Sequence, residues 1–259
     1  MKPFLGLMKK EWKLGRKSLV WLLLLQMVLV LITYLLGNHY QVPGIMFVGI
    51  IPLLLIHILM VPVMLLTLLN VEGKSQLWLH NPQSSMLLLG SKLLTGLGLH
   101  LISLLFSAVV LVFALMNSSS MLSNEQMQGY GIFELGTVLG VITIFSLFLA
   151  VECLLLWVIY HALVKFPQIK NVRWLIITIL FFGINFLLNF FQDTALYQAL
   201  DEIARVTIFQ FNSFSVNTDE FSLAGEVIDF SLLTFSIDTL FVVGLFYLAC
   251  WVFDRKLEV

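Results

Sequence analysis

Few residues in this chain have the types and spacing that chemistry demands. Gly73-Lys74-Ser75 has the ending of a phosphate-binding loop, but Leu68 stands where the earlier glycine is needed, inside an apolar run rather than after a soluble strand. No nucleotide site is expected here. His39, His57, His80, His100 and His161 fall in separate segments without paired ligand spacing, so no metal site is expected either. Neither G-x-S-x-G nor H-E-x-x-H occurs, and no catalytic residue is assigned. An enzyme could only be assembled from residues on separated segments inside the membrane.

A second set consists of polar groups embedded in apolar runs, where lipid makes them costly. Asn185, Asn189 and Gln192 follow at spacings of four and three, which puts three amides on one helical face. Such a stripe either lines a passage or hydrogen-bonds a neighbouring helix. Glu152 lies deep in one run, and His100 lies at a similar depth in the run before it. These two are expected to come within hydrogen-bonding reach as an intramembrane pair that lowers the cost of burial. Asp238, about two turns into the last run, has no evident partner in the sequence. An ion-coupled transporter or channel using Glu152 or Asp238 is the alternative that these acids raise.

The elements that must carry these residues are set by composition. Of 259 residues, 60% are hydrophobic and 11% charged, far from the roughly 45–50% apolar share of soluble domains. The solvent must be lipid, and the fold class is all-α and polytopic, one transmembrane domain over 1–259. Apolar runs long enough for a bilayer core predict six spans, at 19–37, 44–70, 91–116, 132–163, 172–191 and 232–253. Pro43, Pro52 and Pro62 bracket and punctuate the second, which should bend. Cys153 and Cys250 lie inside apolar runs and read as small buried hydrophobes rather than a disulfide.

Before the first span, Lys2, Lys9, Lys10, Lys13, Arg16 and Lys17 crowd residues 1–18, with Phe4, Leu5, Met8 and Trp12 gathered on one side. This predicts a separate helix lying in the membrane interface. The following run is too long for a signal-peptide core. With the N-terminus inside, thirteen of the fourteen Lys and Arg residues fall on inner segments, leaving Arg205 outside. Both termini are therefore expected in the cytoplasm of a multi-pass cell-membrane protein. The basic residues abut apolar runs and track no nucleic acid, so the expected contacts are lipid and protein. Between the fifth and sixth spans, 192–231 repeats Leu196, Leu200, Ile203 and Thr207 at helical spacing, followed by Phe221, Leu223, Val227 and Ile228. Two short amphipathic helices outside the membrane are expected.

Polar and apolar residues mix most closely in 71–90, between the second and third spans: E-G-K-S-Q-L at 72–77, Pro82, then L-L-L-G-S-K at 87–92. Leu77, Trp78 and Leu79 can seat as knobs in a partner's groove, or lie in the headgroup layer. This motif, in a six-span plan, resembles that of the type 2 ATP-binding cassette exporter permeases, the transmembrane subunits whose ATPase subunits are often separate chains. The family often has Gly-Thr where Gln76 and Leu77 stand. The resemblance implies that the loop is a coupling helix held by the ATPase, with Glu72, Lys74, Leu77, Leu79, Asn81, Pro82 and Ser85 in that contact. It also implies that ATP and Mg bind the partner and not this chain, and that Asn185, Asn189 and Gln192 border a central passage. A second permease copy, or a related chain, would complete that passage for a hydrophobic or amphipathic substrate such as a peptide, lipid or drug.

Overall fold

The computed structural model describes residues 2–40, 45–75, 83–118, 132–203, 205–216 and 221–256. Its long helices are α1 (Lys2–Tyr40), α2 (Ile45–Ser75), α3 (Ser85–Ser118), α4 (Ile132–Ala162), α5 (Arg173–Gln192) and α7 (Leu232–Lys256). All six are long and apolar enough to cross a membrane, so the described residues form a multi-pass membrane protein with six such helices among them. Two 3-10 turns, Leu163–Lys165 and Pro167–Val172, link α4 to α5. The short helix α6 (Ala195–Asp201) starts on Thr194, whose hydroxyl accepts from the Tyr197 amide.

Two expectations change. The basic N-terminal segment is not a separate interfacial helix: it forms the first turns of α1, which runs unbroken for 39 residues. No proline follows Pro3 in this stretch, and the three glycines are tolerated in the helix. Gly15 also has a packing reason, because a Cβ there would collide with Leu99 of α3. The second correction lies between α6 and α7. The expected second amphipathic helix is replaced by an antiparallel hairpin of β1 (Arg205–Val216) and β2 (Phe221–Ser231), paired from Arg205 with Ser231 to Val216 with Phe221. Val206, Ile208, Phe209, Phe211 and Val216 are β-branched or aromatic, types that favour strands. A register irregularity falls between Phe211 and Ser213.

The core joins four helices. Val61, Leu65 and Leu69 of α2, Leu89 of α3, Leu154 and Trp157 of α4, and Ala249 and Phe253 of α7 pack together, all in the half of the bundle near the loop between α2 and α3. A smaller cluster of Leu19, Met60, Met64 and Leu99 seats α1 on α2 and α3. Helix α2 keeps Pro52 and Pro62 in its interior, and beside Pro62 the Val61 amide donates to Ser146 Oγ of α4 at 3.3 Å. Helix α5 has no buried residue and packs against α4.

Candidate functional site

The chemistry of the loop between α2 and α3 begins at its roots. Glu72, in the last turn of α2, and Lys92, two turns into α3, are both buried, at 3% and 2% exposure. Lys92 Nζ lies 2.6 Å from Glu72 Oε2 and 2.6 Å from Glu11 Oε1 of α1. Lys10, 40% exposed, donates to the other Glu72 oxygen and lies 3.6 Å from Glu11. Three helices thus meet at two carboxylates and two ammonium groups whose charges cancel. Glu11 is the most buried member, at 1% exposure, and its Oε2 has no hydrogen-bond partner. Enclosed charges of this kind are tolerated only when paired, so the arrangement holds α1, α2 and α3 in one register.

Two further contacts brace the same layer. Trp157 Nε1 of α4 donates to Asn70 Oδ1 of α2 at 3.0 Å. Ser85, the first residue of α3, hydrogen-bonds Cys250 of α7. Both ends of the loop are therefore tied to helices other than their own.

This places several residues differently from the expected partner contact. Glu72 and Ser85 are buried and bonded within the chain, so neither side chain is an outward contact. A carboxylate between two lysines is held by the stronger local charge, and the Ser85 hydroxyl is turned toward α7. Lys74 lies in α2, while Leu77, Leu79, Asn81 and Pro82 fall outside the described residues. Beside the loop, Met86 and Leu87 are exposed apolar residues on the first turn of α3.

The intramembrane pair is corrected. His100 does not bond Glu152: its Nε2 lies 3.3 Å from Thr143 Oγ1, and its ring meets that of His57 edge-on at 5.6 Å. Glu152 instead accepts from Asn185 Nδ2 at 2.7 Å. The cause is depth, because Thr143 and Glu152 are nine positions apart on α4, roughly 13 Å along the axis. Asn185 therefore ties α5 to α4. Gln192 and Tyr197 both hydrogen-bond Asp238, Tyr197 Oη at 3.1 Å. Asn189, between Asn185 and Gln192 in the sequence, is exposed. The three amides do not act as one stripe: two of them hold carboxylates on α4 and α7.

A buried polar network in the membrane half of the bundle was not foreseen. Gln26 Nε2 of α1 donates to Ser103 Oγ of α3 at 2.8 Å, and Ser103 Oγ lies 3.1 Å from His57 Nε2 of α2. His57 Nδ1 lies 2.7 Å from the Leu53 carbonyl, which can only accept. That fixes the proton on Nδ1 and makes Nε2 the acceptor for the Ser103 hydroxyl. The sequence shows these three among several polar residues in three apolar runs, without any spacing rule to connect them. Among the described residues no group of His, Cys, Asp and Glu is arranged to hold a metal ion.

No family model and no solved structure matches the chain. It is similar to the uncharacterized protein YhcE of Bacillus subtilis (strain 168), 28% identical over 265 residues that take in the whole of both chains.

Proposed function

We propose that this chain is the permease subunit of an ATP-binding cassette exporter, moving a hydrophobic or amphipathic substrate outward with separate ATPase subunits and a second permease chain. The observation that carries the reading is the braced root of the α2–α3 loop. A loop that receives a push must pass it to membrane helices without yielding. Here the charge cluster of Glu11, Glu72, Lys92 and Lys10, with Asn70–Trp157 and Ser85–Cys250, joins that root to α1, α4 and α7.

Orientation supports the same reading. Lysine and arginine gather at this end of the bundle, which the positive-inside tendency assigns to the cytoplasm, where ATP is found. Leu77 and Leu79 would seat in the ATPase groove, and Met86 and Leu87 are exposed apolar residues on the first turn of α3. ATP and Mg belong to the partner, and this chain supplies the lever and the membrane path.

The test is co-purification of an ATP-hydrolysing subunit with the tagged full-length chain from native membranes. Leu77→Asp with Leu79→Asp is expected to lower both the amount of ATPase retained and substrate export. Undiminished retention and export would remove the loop from the coupling role.

A further inference from the structure

On α1, the face opposite the charge cluster carries Lys9, Lys13, Arg16 and Lys17, all exposed. At about 100° per residue these four fall within an arc of roughly 100°, and Glu11 points about 200° away from Lys9. The carboxylates of Glu11 and Glu72 face inward and are taken up by Lys10 and Lys92. Among the described residues no ion pair neutralises the outer four.

Because α1 is one unbroken helix, this face continues directly into a lipid-exposed one. Val20, Leu24, Met27 and Leu31 lie on the same arc and are all exposed. A bilayer core of about 30 Å takes up about 20 residues of α1, from near Leu19 to Tyr40. Lys13 to Lys17 then lie about 3–9 Å beyond the acyl boundary, at headgroup depth, and Lys9 lies about 15 Å beyond it on the aqueous side. Trp12 and Trp21, both exposed, flank the cations, as interfacial indoles do.

We propose that this face of α1 is a docking surface for anionic phospholipid headgroups of the leaflet at the basic end of the bundle. An acidic protein surface would complement the charge equally, but it would not account for cations that line up with the acyl-facing residues at headgroup depth. The proposal does not depend on the transport role.

Full-length protein reconstituted in mixed phosphatidylcholine and phosphatidylglycerol, then extracted into neutral detergent, is read by mass spectrometry of the lipids it retains. Wild type is expected to enrich phosphatidylglycerol over the bulk mixture, and high salt to erode that enrichment. Each headgroup-level cation is worth about fivefold. Replacing Lys9, Lys13, Arg16 and Lys17 by Gln should therefore cut the enrichment by about tenfold or more, whereas Lys→Arg at the three lysines should keep it. Retention at the bulk ratio by wild type, enrichment indifferent to salt, or enrichment unchanged in the Gln variant overturns the proposal. If the Gln variant keeps its lipids but loses a co-purifying protein, the surface belongs to that protein and the proposal also falls. Should the Gln variant not fold, the salt dependence of wild type decides.

Discussion

Replacing Lys92 by Met tests whether the charges at the loop root form one electrostatic unit. Lys92 is 2% exposed and lies 2.6 Å from a carboxylate oxygen of each of Glu11 and Glu72. Its removal leaves two buried carboxylates facing each other, with Lys10, 40% exposed, as the cation that pairs with them among the described residues. Breaking a buried pair on one side costs about 3–5 kcal/mol, most of it the charge left behind. At about 2–4 °C per kcal/mol for a chain of this length, the midpoint should fall by roughly 6–20 °C. Cys153 and Cys250 are free thiols, the second buried, so a thiol-reactive dye in detergent reports the transition. Adding Glu11→Leu to the Lys92→Met chain leaves Lys10 and Glu72 as a neutral pair. The double variant should then be more stable than Lys92→Met alone, with a coupling of about 2 kcal/mol or more. A loss under about 1 kcal/mol for the single change, with no recovery in the double, would refute the reasoning.

Two other perturbations separate structural from functional polar groups. Ser103→Ala removes the bridge between Gln26 and His57, yet those two nitrogens already lie 3.4 Å apart and can pair directly; the expected cost is about 0.5–1.5 kcal/mol in the same dye assay, well below that of Lys92→Met. Glu152→Gln keeps an oxygen to accept from Asn185 Nδ2, so the α4–α5 contact should survive with export by the assembled transporter unchanged; abolished export with an unaltered midpoint would favour an ion-coupled carrier instead.

What the sequence made legible was whatever depends on sums and periods along one run. Six membrane helices follow from the length of apolar stretches, and the polar positions inside them are visible one by one. Which of them meet is decided by relative depth and rotation of antiparallel helices, which no single run encodes. His100 and Glu152 illustrate this, since about 13 Å along α4 separates the residue His100 meets from the one it was expected to meet. The N-terminal region failed for a different reason. Six cations hid the one acid among them: read as a charge run, residues 1–18 belong in the interface, but Glu11 is the residue that fixes the helix against its neighbours. Lys92 sits at the start of the third predicted span, yet its ammonium joins two other helices. The hairpin was missed because its aromatic residues fit an amphipathic helix as readily as a strand once alternation is interrupted by Phe209 and by the irregularity near Ser213.

The distribution of contacts bears on how movement would pass through the bundle. Near the loop, α1, α2, α3, α4 and α7 are joined by charges, hydrogen bonds and a continuous apolar core, so a displacement of the loop root cannot be absorbed locally. Helix α5 stands apart from this block, with no buried residue and with Asn185 as its hydrogen-bonded tie to α4. Near the far end, Gln192 and Tyr197 hold Asp238 of α7, so α5 and α6 are also pinned to the helix that closes the core. Under the proposed coupling, a push at the α2–α3 loop therefore turns a five-helix block against α5, with Asn185–Glu152 and the Asp238 cluster as the two points where that motion must be accommodated. Both are hydrogen bonds from neutral donors to carboxylates, which can be remade with another neutral donor at smaller cost than the buried ion pairs. On that proposal, the strong interactions lie where a lever would have to be stiff, and the exchangeable ones lie where the helices would have to move.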